Sequence, residues 1–177
     1  VPLAQTRSRF EQDYDRIIFS HPFRKLQDKT QVFPMPEDDF VHSRLTHSLE
    51  VASVGRSLAK EVGKIILSKN EALRASGIKY QDFGDVVSAA CLAHDLGNPP
   101  FGHSGEQSIS SFFLNTEGGQ FFESMVKPTE WSDLINFEGN AQGFRILTNP
   151  NHGGLSLTYS TLATFTKYPL SSASKKI

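Results

Sequence analysis

From Ser43 to Lys69 the chain reads SRLTHSLEVASVGRSLAKEVGKIILSK, with no proline in the run and apolar residues returning at helical intervals. Leu45, Leu49, Ala52, Leu58, Val62 and Ile65 recur at steps of mostly three and four, which predicts one long amphipathic helix opened by Ser43. His47 falls on a second apolar row with Val51, Val54 and Leu58, at steps of four, three and four. A helix that is apolar on two sides belongs in the middle of a bundle.

The rest of the chain follows the same period, and strand-like alternation is scarce. Residues 8–19 (SRFEQDYDRIIF) predict a first helix, and Ser20 caps a second over HPFRKLQDK, with Pro22 tolerated in its first turn. QVFPMPEDDFVHS, broken by Pro34 and Pro36, reads as a loop or short extended piece. After a polar interval, NEALRASGIKYQ, comes a short apolar helix, DFGDVVSAACLAHDLG, capped by Asp82 or Asp85 and closed by Gly97. Ser104 with Gln107 forms a capping-box pattern for HSGEQSISSFFLN. EGGQFFESMVKPTEWSD, interrupted by Pro128, reads as surface or subunit contact. NFEGNAQGFRILT, stopped by NPNHGG, and LTYSTLATFTK, halted by Pro169, are the last helices. The predicted fold class is all-α, a single domain over 1–177.

Composition sets outer bounds. At 177 residues the chain can bury a real core, and a net charge of −1 argues against a large nucleic-acid footprint. Cys91 is the single cysteine, so no internal disulfide can form, which fits a reducing cytoplasm. No long uncharged apolar span and no leader-like segment is present, so membrane insertion is not expected. The first residue is Val1 rather than Met, which reads as a trimmed chain or a fragment.

Chemistry concentrates in CLAHDLGNPPFGHSGE, residues 91–106. At the last turn of a helix, an ion can sit between the adjacent side chains of His94 and Asp95, a mixed nitrogen and oxygen donor set suited to a divalent metal. Two donors are too few, and His47, a lone imidazole on an apolar helix face, is the natural third. Taken singly, each residue has an ordinary reading. A core histidine is usually just hydrogen-bonded, Glu106 suits the first turn of a helix, and Asn98-Pro99-Pro100 makes a rigid loop. Their joint occurrence is what points to a hydrolytic centre.

RLTHS (44–48) followed by AHDLGNPPFGHSGE (93–106) resembles the HD-domain metal phosphohydrolases, and among them the deoxyguanosinetriphosphate triphosphohydrolases. FRKLQDKTQVFP (23–34) and FEGNAQGFRIL (137–147) extend the resemblance over most of the chain. It implies an HD-type helical bundle with substrate-side helices and loop over about 1–42, a metal-site core over 43–115 and peripheral helices over 116–177. It implies a divalent ion, Mg2+ or Mn2+, held by His47, His94 and Asp95, with His103 and Glu106 assisting water attack and phosphate departure. Arg44 is then expected at the substrate phosphates, Gln31 at the deoxyribose and Asn98 near the α-phosphate. The implied reaction releases a nucleoside and intact triphosphate from dGTP or another deoxynucleoside triphosphate. Another HD nucleotidase or cyclic-nucleotide phosphodiesterase, or a non-catalytic nucleotide-binding module, are the alternatives. The resemblance also implies a homo-oligomer, with FFLN and QFFES as candidate contacts, and regulation by a nucleotide or single-stranded DNA. The family's fourth ligand is a downstream aspartate. Asp133, in the polar loop segment WSDLIN, is the only aspartate after Asp95 and does not sit in the motif expected for that ligand. The chain therefore reads as the N-terminal portion of a longer enzyme, expected to bind metal weakly and turn over little on its own.

Overall fold

The computed structural model describes residues 7–29, 43–150, 154–172 and 174, and ten α-helices with two 3₁₀ segments lie among them. No strand occurs among the described residues, so the all-α expectation holds. Helix α1 (Arg9–Ile18) starts at Ser8, whose hydroxyl accepts the Glu11 N–H while Glu11 accepts the Ser8 N–H. Ser20 caps α2 (His21–Arg24), and a 3₁₀ segment (Lys25–Asp28) completes that stretch. The predicted loop at QVFPMPEDDFVHS falls almost wholly outside the described residues, and Gln31 with it.

Ser43 opens α3 (Arg44–Lys69), its hydroxyl accepting the Thr46 N–H at 3.3 Å. The polar interval that follows contains a short helix, α4 (Glu71–Ala75), before α5 (Tyr80–Ala93). Helix α5 starts at Tyr80, ahead of both predicted caps. Asp82 sits inside the first turn and takes the Lys79 N–H at 2.7 Å. Helices α3 and α5 form the most extensive contact of the fold. The buried face of α3 is made of small residues, Ser48, Ala52, Ala59 and Gly63, which let the two backbones approach closely.

That packing overturns half of the predicted apolar stripe. Leu45 and Leu49 do pack against the core, but Leu58, Val62 and Ile65 are 63%, 52% and 55% exposed, and Val54 beside His47's row is 60% exposed. At 100° per residue, His47, Val51, Val54, Leu58, Val62 and Ile65 fall within an arc of about 80°, centred about 120° around the helix from the small residues against α5. One half of the apolar surface of α3 is covered by α5; on the other, Val54, Leu58, Val62 and Ile65 are exposed, while His47 turns toward His94. Apolar identity alone could not tell the two halves apart.

The core gathers Ile17, Phe23, Leu26, Leu92, Leu96, Leu147 and Phe165 around this helix pair. Helix α10 (Tyr159–Phe165) is tied to α1 by the fully buried Asp13, whose Oδ2 accepts from Thr158 N, Thr158 Oγ1 and Thr161 Oγ1. Helix α6 (His103–Asn115) is preceded by Gly102 at φ 55°, ψ −128°, and no side chain caps it, so the Ser104–Gln107 box does not form. Between α6 and α9 (Gly139–Thr148) lie α7 (Glu117–Gln120), a 3₁₀ segment (Phe121–Met125) and α8 (Pro128–Ile135). Pro128 opens α8 rather than interrupting a helix, as its fixed φ and missing N–H suit the first turn. Phe113 stacks edge-on with Phe112, Phe122 and Trp131, whereas Phe121 and Met125 are 66% and 63% exposed. No helix among the described residues is long and apolar enough to cross a membrane.

Candidate active site

Helix α5 ends at Ala93, and the chain then folds through tight turns, with Leu96 N donating to Ala93 O and Asn98 N to Asp95 O. This tightening lets His94 and Asp95 converge although they are adjacent in sequence. Across from them, His47 sits one turn into α3, its ring 5.2 Å from that of His94. One donor atom from each of His47, His94 and Asp95 lies within 4.8 Å of the other two.

The orientation of these groups follows from their partners. The His94 Nδ1 lies 2.7 Å from the Cys91 carbonyl oxygen, which can only accept, so Nδ1 carries the proton and Nε2 of the neutral ring is bare. That bare nitrogen faces Asp95 Oδ1 at 3.4 Å. Two lone-pair donors confronting each other at this distance repel unless a cation lies between them. Asp95 is 4% exposed. Its Oδ1 accepts the Asn98 side-chain amide at 2.6 Å, and its Oδ2 lies 3.0 Å from Arg44 Nη1, without the alignment of a hydrogen bond.

His103, at the first position of α6, pairs through Nδ1 with Glu106 Oε2 at 2.8 Å, and Glu106 Oε1 accepts the Gly139 N–H at 2.8 Å. Both line one cleft of about 320 Å3 with Arg44, His47, His94, Asp95, Asn98, Gly102, Asn140 and Lys167. The sequence-predicted residues thus come together, apart from Gln31, which lies outside the described residues. Two of them have an additional commitment. Arg44 is 5% exposed, its guanidinium held against Asp95 and the Pro99 carbonyl, and the Asn98 amide is given to Asp95. Asp133 is not in a loop: it lies on α8, where its carboxylate accepts the Ser172 hydroxyl, away from the donor cluster.

Asn140 and Lys167 are cleft residues that the sequence reading missed. Asn140 follows the predicted helix start at FEGN, where a polar residue is unremarked, and Lys167 lies just past a helix end, where nothing in local pattern distinguishes it from a solvated lysine. Lys29 also stands behind the site. Its Nζ donates to the Asn98 carbonyl at 3.1 Å, and burial, then the Arg44 charge, pull its pKa below the ordinary lysine value.

Two imidazoles and a carboxylate converging beside a His–Glu pair, on core helices of an all-α domain, form a donor set of the kind with which helical proteins hold a metal between helices. The HD domain profile matches residues 44–138, and the chain belongs to the HD domain family. It is 51% identical over 173 residues to a deoxyguanosinetriphosphate triphosphohydrolase-like protein of Synechocystis, covering 92% of this chain and 38% of that protein. A protein of the same description from Pseudomonas aeruginosa is 52% identical over 170 residues, covering 94% of this chain and 37% of that protein. A deoxyguanosinetriphosphate triphosphohydrolase of Yersinia enterocolitica is 40% identical over 184 residues, covering 90% and 36%. The chain therefore spans less than two fifths of the length of these relatives.

HD domains bind divalent metals, and the residues present fit such an ion. The bare His94 nitrogen opposite a carboxylate oxygen, and a buried Asp95 Oδ2 without a hydrogen bond, are groups that a cation satisfies.

Proposed function

We propose that this chain carries the catalytic half-site of a metal-dependent enzyme that hydrolyses dGTP, or another deoxynucleoside triphosphate, at the α-phosphate, giving a deoxynucleoside and inorganic triphosphate. The observation that carries the reading is a single cleft flanked by the donors His47, His94 and Asp95 and by the exposed His103 backed by Glu106. The names of the relatives support the substrate class. A divalent ion, Mg2+ or Mn2+, held by His47, His94 and Asp95 supplies Lewis acidity toward a phosphate ester and acidifies water.

The chain's own residues account for the rest. His103 projects its imidazole into the cleft with Nδ1 held by Glu106, so its Nε2 is the atom that takes or gives a proton at the departing 5′ oxygen or the attacking water. Glu106 fixes the ring and offsets the positive charge that builds on it. Lys167 and Asn140 supply a cation and an amide for phosphate oxygens. Arg44, although bound to Asp95, adds a second fixed positive charge beside the phosphate path, and Lys29 a third behind it. In this reading Asn98 acts on the substrate only through Asp95.

The test is product analysis in the longest natural chain that contains these residues, incubated with Mn2+ and dGTP. Release of intact triphosphate is expected, and His103→Ala is expected to lower kcat by about 10²–10⁴ with metal affinity kept, the usual scale of general acid–base catalysis. Orthophosphate as the product, or full activity in His103→Ala, would refute the assignment.

A further inference from the structure

We propose that Gly139, at the first position of α9, is a positioning residue that sets the His103–Glu106 pair against the metal-side loop at Asn98. The inference rests on the reading of that pair as the acid–base element, and it concerns a residue that does not line the cleft. A Cβ at position 139 would lie 2.1 Å from Asn98 Oδ1 and 2.8 Å from Glu106 Oε1, both inside the distance that real contacts allow. The fit is mutual, because a Cβ at Gly97 would lie 2.0 Å from the Gly139 carbonyl and 2.1 Å from Gly143 N. At Gly97 the loop therefore meets α9 backbone to backbone, and at Gly139 the helix leaves room only for the Asn98 and Glu106 side-chain ends.

This contact gives the catalytic pair its reference point. The amides at the start of α9 are divided between two carboxylates: Ala141 N donates to Glu138 at the helix's own N-cap, and Gly139 N donates to Glu106 from α6. One Glu106 oxygen is thereby anchored on α9, leaving the other for His103. The His103 side chain is 96% exposed, so packing cannot orient it. Its direction derives from the bond to Glu106, and that of Glu106 derives from the Gly139 amide. A side chain at 139 must push Glu106 or Asn98 aside, and the nearest groups it meets belong to the two halves of the site.

The effect is readable without turnover, by ¹⁵N NMR of His103 in the neutral ring. In the wild-type chain the Nδ1–H tautomer is expected to dominate, because Glu106 accepts from that nitrogen. In folded Gly139→Ala its share should fall to about half or less, since a displaced carboxylate no longer selects the tautomer. Where triphosphate release is measured, kcat should fall about ten-fold or more with KM little changed. Folded Gly139→Ala with the wild-type tautomer and the wild-type kcat overturns the proposal. If that variant does not fold, Glu106→Ala decides: hydrogen exchange at the Gly139 amide should accelerate about ten-fold or more, as expected for a bonded amide set free, and unchanged protection overturns the proposal. If the longest natural chain containing these residues releases no triphosphate but keeps the Nδ1–H tautomer, the hydrolase reading alone is refuted.

Discussion

The Asp95 carboxylate lies between the Arg44 guanidinium on one oxygen and the Asn98 amide and His94 ring on the other. Buried charges persist only when paired in this way. Two cations, Arg44 and Lys29, share this one carboxylate, and their mutual repulsion adds to burial in lowering the Lys29 pKa. A different carboxylate shows the converse. Asp85, half-buried on α5, has its pKa raised above 3.8 by burial and then by Glu11, with Arg56 and Lys60 only partly offsetting this. Because the folded value is the higher one, the ionised form is disfavoured in the fold. Stability from this residue therefore declines as pH rises from 3.8 through the raised value, and the penalty stays constant above it. Asp85→Asn should melt at a higher temperature than wild type at pH 7, and the advantage should vanish below about pH 3.8. Calorimetric scans at both pH values check this, and equal melting at pH 7 would contradict it.

Helix α3 shows how much the sequence could and could not convey at the scale of an element. Its start was legible because Ser43 offers an N-cap and no proline follows, and the same logic gave Ser20 and the donors at the end of α5. Which apolar row would be covered was not legible, since periodicity reports a face and not the element that meets it. Close approach to α5 selects the small residues Ala52, Ala59 and Gly63 and leaves the larger Leu58 and Val62 outside. The same limit explains two further misses. Gly97 reads locally as a helix stop but is required by contact with α9, and Ser104 reads as a cap although Gly102 opens α6 unaided. Leu58→Lys should therefore alter the stability of this chain by no more than about 0.5 kcal/mol, as for exposed positions generally. Ala52→Leu, six residues earlier on the covered face, should cost about 1–3 kcal/mol through overpacking. Urea unfolding of the two variants would distinguish the faces, and a comparable loss in both would mean that the exposed row is packed in solution.

At the scale of the whole molecule, the donors come from separate helices: His47 from α3, and His94 and Asp95 from the turn that ends α5. Sequence separation between them is large, so bringing them together has an entropic cost that the α3–α5 packing has already met in the fold. An ion bound there adds a clip between the two helices that dominate the core, and its binding free energy appears as stability because the unfolded chain holds no such site. At a free Mn2+ concentration of about 100 times Kd, the gain is about 2.7 kcal/mol. For a chain of this size each kcal/mol moves the melting temperature by about 2–4 °C, so the expected rise is about 5–11 °C. With three protein donors in the described residues, millimolar rather than micromolar ion should be needed to reach it. Differential scanning fluorimetry across a Mn2+ series, reversed by EDTA, measures the shift directly. His47→Ala should abolish it as completely as His94→Ala, although the two residues lie on different helices. A His47→Ala variant that keeps the full shift would show that the ion is held by the end of α5 alone, and the two-helix centre would have to be abandoned.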